Sequence, residues 1–141
     1  MEIRLPNPIS TNRLYRYVGN RVLISREGRA YRAAVAAILA RQRVRPLVGD
    51  LSIEIDIHPP NHREYDLDNR LKCLFDSLEH GGAFLNDSQI VRLSARKCPP
   101  VRGGMAIVRI EETHGHPITP TDRARSCLPE VQQDLLLPGP G

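Results

Sequence analysis

Three stretches of the chain show a clear period in their apolar residues. Residues 51–58, Leu-Ser-Ile-Glu-Ile-Asp-Ile-His, alternate strictly, which predicts a strand with its leucine and isoleucines in the core and Asp56 and His58 on the solvent face. Residues 26–43 and 68–80 repeat every three to four positions, which predicts two amphipathic helices. The predicted buried stripes are Tyr31, Ala34, Val35, Ile38 and Leu39 in the first helix and Leu71, Leu74, Phe75 and Leu78 in the second.

Shorter stretches and the residues between them complete the predicted fold. Four more strands are expected, at residues 2–5, 21–25, 89–97 and 105–112. Two prolines keep residues 6–13 from being helical, and Ser25 is a good N-cap for the first helix. Residues 99–104 are long enough to join the last two strands as a hairpin with a basic tip. We therefore predict a single small α+β domain in which two helices pack on one mixed β-sheet.

The end of the chain differs in composition from the rest. Residues 113–141 hold five of the twelve prolines and no sustained periodicity. We expect a folded domain over residues 1–112 and a proline-rich, disordered tail over residues 113–141. No apolar run is long enough to span a membrane, and the N-terminus lacks the apolar region of a secretory signal. The three cysteines have no metal-binding or disulfide spacing, so we expect reduced thiols in a cytoplasmic protein.

The net charge of +4 is unevenly distributed along the chain. Residues 1–45 carry ten arginines against two glutamates, whereas residues 46–112 carry more acids than bases. A basic segment beside an acid-rich one suits a protein that binds a polyanion and cleaves it with a metal ion. Eighteen of the twenty basic residues are arginine, whose planar fork matches phosphate. A genome rich in G and C would enrich arginine equally well.

The segment from residue 62 to residue 89 concentrates the side chains that can carry chemistry. Asp66 and Asp68 flank one apolar residue where a loop leads into the second helix, Lys72 follows one turn later, and Asp87 lies in a polar turn beyond the helix. Each has an ordinary explanation when it is taken alone. Asp68 can cap the helix, Asp66 and Asp87 can form turns, and Lys72 can make a surface ion pair within the helix.

Taken together, these residues indicate a metal-dependent site. Asp66 and Asp68 point to the same side if the backbone between them is extended, and two like charges so placed are unfavourable unless a cation neutralises them. Carboxylate oxygens suit Mg²⁺, with Mn²⁺ as an alternative. A metal ion held there can activate water, while Lys72 can neutralise charge on a phosphate in the transition state. The central expectation is that Asp66, Asp68 and Asp87 meet in space to bind the ion.

The order of these residues resembles a known protein family. The segments that carry the resemblance are Leu5-Pro6-x-Pro8, Asn12-Arg13-x-Tyr15, Asp66-Leu67-Asp68-Asn69-x-x-Lys72-x-x-Phe75-Asp76-x-Leu78 and Asp87-x-Gln89-Ile90. In this order they are similar to the RusA family of Holliday junction resolvases. The resemblance covers about residues 4–112, and the block that begins at Asp66 is its most specific part. It departs from the family at Glu64-Tyr65, where basic residues often precede the first aspartate.

The resemblance implies a homodimeric, Mg²⁺-dependent endodeoxyribonuclease that nicks DNA four-way junctions during recombination and repair, often encoded in prophages. Asp66, Asp68 and Asp87 match the metal-binding acids, and Lys72 the catalytic lysine. The residues expected to contact DNA are Asn12, Arg13, Tyr15, Arg16, Arg63, Asn69 and Arg102, and Tyr65 can stack on a base. Two alternatives stay open: a non-catalytic, structure-selective DNA-binding protein, and a Mg²⁺-dependent phosphohydrolase acting on nucleotides.

Overall fold

A computed structural model describes residues 1–113 of the chain. The tail predicted over residues 113–141 therefore lies outside the described residues, apart from Thr113. The helices and strands, in chain order, are β1 (Glu2–Pro6), α1 (Thr11–Leu14), β2 (Tyr15–Val18), β3 (Arg21–Ile24), α2 (Arg26–Arg41), β4 (Leu51–His58), α3 (Asp68–His80), the 3₁₀ helix η1 (Asp87–Gln89), β5 (Ile90–Lys97) and β6 (Met105–Glu112). No helix among these residues is long and apolar enough to cross a membrane.

The main sheet has four strands in the order β1-β6-β4-β5. β6 is antiparallel to both β1 and β4, whereas β4 and β5 are parallel and α3 connects them. The mixed sheet is as predicted, but the predicted hairpin between the last two strands is wrong. β5 and β6 lie on opposite sides of β4, so residues 98–104 cross the end of that strand instead of joining two adjacent strands.

The core lies between the sheet and the two long helices. Leu51, Ile53, Ile55 and Ile57 of β4 are at most 1% exposed, as their alternation predicts. Tyr31, Val35 and Leu39 of α2 and Leu74 and Leu78 of α3 are also buried, whereas Ala34, Ile38, Leu71 and Phe75 are partly exposed at the margins of the predicted stripes. Burial of these side chains stabilises the domain by roughly 1.5–3 kcal/mol for each large one.

The ends of the helices follow their sequence signals. The Ser25 side chain accepts a hydrogen bond from the Gly28 backbone N–H at 3.0 Å, so the predicted N-cap of α2 is confirmed. α3 ends at Gly81 and Gly82, and Gly82 has a φ of +86°, a left-handed conformation that favours glycine. Both long helices begin at their predicted first residues, Arg26 and Asp68. α3 also ends as predicted, whereas α2 ends at Arg41, two residues before its predicted end.

The segment between β1 and α2 is more structured than predicted. Residues 11–14 form the one-turn helix α1, although the whole of residues 6–13 was expected to be loop. Tyr15–Val18 pairs antiparallel with Arg21–Ile24 to form a separate two-stranded hairpin. β3 lies within the strand predicted at residues 21–25, but β2 was missed because three of its four residues are exposed and it has no buried face. The hairpin is tied to α1 by the Ser25 N–H, which donates to the Leu14 carbonyl at 2.8 Å.

Asp56 is not exposed as predicted, although Glu54 on the same side of β4 is exposed. Asp56 is only 6% exposed. Arg96 of β5 donates to it through Nε at 2.7 Å, and Arg109 of β6 through a terminal nitrogen at 3.0 Å. The two arginines therefore cover the carboxylate from the neighbouring strands, which the β4 sequence alone does not reveal.

Candidate active site and DNA interface

The start of α3 lies at the end of the sheet where the strands β4 and β5 finish. Lys97, the last residue of β5, donates from Nζ to the Tyr65 carbonyl, and Arg70 donates to the Pro8 carbonyl at 2.9 Å, just beyond the end of β1. The Thr11 hydroxyl donates to the Asn69 carbonyl at 3.1 Å. These contacts fix the segment that contains Asp66 and Asp68 against β1, α1 and β5.

Asp66 and Asp68 are both exposed at this end of the sheet. Within residues 1–113 neither carboxylate takes part in an ion pair. Asn69 donates from Nδ2 to Asp66 Oδ2 at 3.3 Å, a long bond that still leaves lone pairs on both carboxylate oxygens. Oxygen ligands that are exposed and free of cationic partners fit the needs of a hard divalent ion.

One ordinary explanation for these aspartates does not hold in the structure, and neither does one argument for a metal site. The N-cap of α3 is Leu67, and no side chain of residues 1–113 caps the helix, so Asp68 is a first-turn residue and not a cap. Leu67 has helical dihedral angles, φ −61° and ψ −44°. The backbone between the two aspartates is therefore not extended, and the argument that placed their side chains on the same side is wrong.

Lys72 lies one turn into α3 and has an ion-pair partner. Its Nζ is 3.7 Å from Asp76 Oδ1, and Asp76 also accepts from Arg32 at 3.0 Å. The Lys72 side chain is 48% exposed. A long, exposed pair of this kind contributes little to stability and does not fix the amine. The ion pair predicted as the ordinary explanation is therefore present, with Asp76 and not with Asp68.

Asp87 lies at the opposite end of the sheet from Asp66 and Asp68. It begins η1, just before β5, and the Leu51–Ile90 pairing places this end of β5 beside the start of β4. An eight-residue strand rises about 3.3 Å per residue, so the two ends are on the order of 20 Å apart. Among residues 1–113 no three His, Cys, Asp or Glu side chains gather as a metal site. The expected meeting of all three aspartates is thus wrong within one copy of the chain.

This separation follows from the parallel pairing of β4 and β5. A parallel connection must return to the starting end of the sheet, so α3 runs against the direction of its two strands. The acids at the start of α3 and the acid before β5 necessarily fall at opposite ends. The sequence could not give this result, because it does not state which strand lies beside β4.

Gln89 belongs to the Asp87-x-Gln89-Ile90 pattern, but the sequence predicted no role for its side chain. Its Oε1 accepts from the backbone N–H groups of Leu85 and Asn86, both at 2.8 Å. Its Nε2 donates to the carbonyls of Leu47 and Gly49, both at 2.9 Å. All of the polar capacity of the amide is used to hold η1 against the segment before β4. The signal available in the sequence was the Asp87-x-Gln89 pair itself.

The turn that carries Asp87 leaves its carboxylate unused. Asn86 caps η1, since its side chain accepts from the Ser88 N–H at 2.8 Å. Asp87 is exposed and has no ion pair within the described part of the chain. The Asx-turn explanation therefore applies to Asn86 and not to Asp87.

Most of the residues expected to contact DNA surround the end of β4. Arg63 and Asn69 flank Asp66, and Asn12 and Arg13 lie on α1, which contacts α3. Arg102 is exposed on the turn of residues 98–104, which the Val101 N–H anchors to the Pro59 carbonyl at 2.9 Å. A Cβ on Gly104 would lie 2.8 Å from Asn7 Cγ, so the close contact of this turn with the β1–α1 loop requires glycine.

The surroundings of four side chains, Arg13, Tyr15, Arg16 and Tyr65, refine the predicted interface. Arg13 is 65% exposed and pairs with Glu27 at 2.7 Å, an exposed pair that phosphate can replace. Tyr15 and Arg16 lie on β2, which continues directly from α1, and Arg16 is exposed. The Tyr65 ring lies between two cations: Lys97 Nζ is 4.5 Å and Arg70 Cζ is 5.6 Å from its centre. The ring also packs on the core, and this burial raises the pKa of the Tyr65 hydroxyl. Tyr65 therefore anchors the loop and is not a free surface for base stacking.

Comparison with known proteins identifies the family. The family model of endodeoxyribonuclease RusA matches residues 6–111, which includes every residue discussed at both ends of the sheet. The chain belongs to the RusA family of endodeoxyribonucleases. It is 40% identical over 111 residues to the crossover junction endodeoxyribonuclease RusA of Escherichia coli K12 and to the rusA protein of Enterobacteria phage 82, and in both cases the match covers 78% of this chain and 92% of the relative.

Proposed function

We propose that this protein is a divalent-metal-dependent endodeoxyribonuclease that resolves Holliday junctions by paired, symmetric nicks. The observation that carries the proposal is the block from Asp66 to Lys72 at the start of α3, inside a segment that matches the RusA family. Its acids are exposed and, within residues 1–113, take part in no ion pair. The names of the relatives support DNA four-way junctions as the substrate. The phage member among them supports an origin in a prophage. We further propose a role in recombination and repair, in the cytoplasm.

Mg²⁺, or Mn²⁺ in its place, is the metal we propose. Asp66 and Asp68 would bind it together with an Asp87 carboxylate, since all three offer free, hard oxygen atoms. When bound, such an ion provides a water nucleophile at neutral pH and stabilises charge on phosphate oxygens. Asn69 orients Asp66 through its 3.3 Å hydrogen bond.

A site with all three aspartates needs two copies of the chain. Asp87 is on the order of 20 Å from the start of α3 in its own copy, the length of β5. In a dimer with two-fold symmetry, the Asp87 end of each copy can meet the Asp66 end of the other, so that two identical sites form. Paired nicks on opposite strands of a junction require two such sites. The homodimer is therefore part of the proposal for the site itself.

The remaining residues have roles that follow from charge and position. Lys72, half exposed and loosely paired, is free to place its ammonium group against phosphate oxygens and stabilise negative charge in the transition state. Arg13, Arg16, Arg63 and Arg102 are exposed, and they bind the phosphate backbone on either side of the cleaved bond. Asn12 and Tyr15 lie next to these arginines and add polar contacts.

A gel assay tests this function against its two alternatives. The purified protein is incubated with a labelled four-way junction, a linear duplex and a nucleoside triphosphate, each with and without Mg²⁺. We expect symmetric cleavage of the junction only, and only with metal. Binding of the junction without nicks under Mg²⁺ or Mn²⁺ would indicate a non-catalytic DNA-binding protein. Hydrolysis of the nucleotide with an intact junction would indicate a phosphohydrolase.

A further inference from the structure

The β2–β3 hairpin is separate from the four-stranded sheet and packs on the core only at its base. There, Tyr15 and Ile24 are partly buried against the core. A Cβ on Gly28 of α2 would lie 2.7 Å from Ile24 Cγ1, so the base also fits closely against α2. Farther out, 77% of Tyr17 and 57% of Val22 are exposed. The hairpin is therefore a projection that the core holds by one end.

The alternation of side chains along the hairpin separates an aromatic face from a basic face. Tyr17 pairs with Val22 across the two strands and lies on the same face as Tyr15. Arg16 and Arg21 lie on the opposite face, and neither takes part in an ion pair among residues 1–113. Residues 15–24 contain no acid. Exposed apolar surface beside unpaired cations fits a ligand that is anionic and has flat apolar faces, and DNA has both.

The hairpin stands next to the candidate site. β2 continues directly from α1, and the Thr11 hydroxyl on α1 donates to the Asn69 carbonyl at the start of α3. Asn12 and Arg13, which we propose as DNA contacts, also lie on α1. Four strand residues span on the order of 10 Å, which sets how far the tip extends beyond α1. DNA bound at the start of α3 and along α1 therefore comes within reach of the hairpin.

We propose that the outer half of this hairpin inserts at the branch point of a four-way junction, where the Tyr17 ring stacks on an exposed base pair. Arg16 and Arg21, on the other face, bind phosphates of the adjacent strand. This inference rests on the proposed function and adds the element that distinguishes a junction from a linear duplex.

The branch point is favoured because its base stack is already interrupted. An aromatic ring can stack there on a base pair that has lost one stacking neighbour, and the gain from the new stack is retained. In a continuous duplex the ring must first unstack a base step, and the cost of that step is similar in size to the gain. Stacking by Tyr17 should therefore strengthen junction binding and leave duplex binding nearly unchanged.

The dissociation constants for a labelled four-way junction and for a linear duplex test the role of Tyr17. Both are measured at the same salt concentration without divalent metal, so that neither DNA is cleaved. Tyr17→Ala should weaken junction binding about tenfold, a typical loss for one base–aromatic stack, with duplex binding unchanged. Tyr17→Phe should bind both DNAs normally, because it keeps the ring. Val48→Ala truncates another apolar side chain, 72% exposed, and as the matched control should change neither constant.

Photochemical cross-linking provides a second measurement, of where the hairpin lies on the DNA. Iododeoxyuridine reacts under long-wavelength ultraviolet light with an aromatic side chain that is stacked on it. With this base at the branch point, the protein should cross-link through Tyr17, as identified by mass spectrometry of the joined peptide. The same base placed well inside one arm should give no Tyr17 cross-link. Tyr17→Phe should retain the branch-point cross-link, and Tyr17→Ala should lose it.

Failure of this proposal can be separated from failure of the proposed function. If the unmodified protein cleaves junctions with Mg²⁺ but Tyr17→Ala weakens junction and duplex binding equally, the nuclease stands and the branch-point role is refuted. Unchanged junction binding by Tyr17→Ala, or an equal Tyr17 cross-link inside the arm, would also overturn it. Selective weakening by Tyr17→Ala without any nicking by the unmodified protein would support the hairpin's role and refute the nuclease. A changed molecular mass of Tyr17→Ala in light scattering would assign the hairpin to a contact between chains and refute insertion into DNA.

Discussion

Lys72 Nζ lies 3.7 Å from Asp76 Oδ1, on the first turns of α3 and next to the exposed aspartates of the candidate site. The pair is long and half exposed, so its loss should change the free energy of unfolding by less than about 1 kcal/mol. If Lys72 stabilises the transition state, Lys72→Ala should reduce the single-turnover cleavage rate on the order of 10²-fold with little change in junction affinity. The rate and the dissociation constant are measured on the same labelled junction.

Asp76→Asn is the matched control for Lys72→Ala. It removes the ion pairs of Asp76 with Lys72 and with Arg32 but leaves the lysine ammonium in place. Cleavage by Asp76→Asn should stay within a few-fold of the unmodified protein under conditions where it is folded. An equal loss in both variants would mean that Lys72 acts only by holding Asp76, and an unchanged rate in Lys72→Ala would remove it from the mechanism.

Asp68→Asn should abolish metal-dependent cleavage while junction binding survives. Asn keeps the size of the side chain but lacks the charge that a divalent ion requires, so we expect a loss on the order of 10³-fold or more. Asp68 is exposed and makes no ion pair among residues 1–113, so folding should not change. Near-normal Mg²⁺-dependent cutting by the purified variant would refute its role as a metal ligand.

Gln89→Ala tests whether the position of Asp87 matters for metal binding. The substitution removes four hydrogen bonds that hold η1. Residues that support metal ligands typically contribute about 10- to 100-fold in affinity, so the Mg²⁺ concentration for half-maximal cleavage should rise about tenfold or more. Gln89→Glu keeps the acceptor but cannot donate to the two carbonyls, and it should have an intermediate effect. An unchanged Mg²⁺ requirement in a folded Gln89→Ala variant would contradict a role for these hydrogen bonds in placing Asp87 for metal binding.

Measuring Tm at acidic pH should reveal how much Asp56 contributes to the stability of the fold. Hydrogen bonds from Arg96, reinforced by Arg109, hold the pKa of Asp56 at about 2, below its ordinary value of 3.8. Since the pKa is lowered on folding, the stabilisation is present above about pH 4 and is lost as the pH falls toward 2. Asp56→Asn should therefore lower Tm at pH 7 and flatten the fall of Tm between pH 4 and pH 2. A fall as steep as in the unmodified protein would show that Asp56 does not control it.

The sequence predicted those elements whose signals are local. α2, α3 and β4 show their period over eight or more residues, and Ser25 and Gly82 mark helix ends by backbone chemistry that needs no distant partner. β2 was not predicted because three of its four residues are exposed and it has no buried face, so its pairing with β3 could not be predicted either. The burial of Asp56 was equally hidden, since it depends on arginines 40 and 53 positions away in the sequence.

For the candidate site, the sequence provided candidate residues but not their arrangement. Asp66, Asp68, Lys72 and Asp87 could be selected because acids and a lysine in this order match a family pattern. Where Asp87 lies depends on β5 pairing parallel to β4, which is a property of the whole sheet. No spacing in the chain indicates the second copy that we propose for the site.

The most direct test of the two-copy site is subunit complementation. Asp68→Asn and Asp87→Asn chains are co-expressed with different affinity tags, and the mixed dimers are isolated by both tags in succession. Each homodimer should be inactive with Mg²⁺. The mixed dimer should contain one site with both substitutions and one with none, so it should nick one strand of a junction at a rate close to that of a single normal site. Mixed dimers as inactive as the two homodimers would contradict a site that takes Asp87 from the partner.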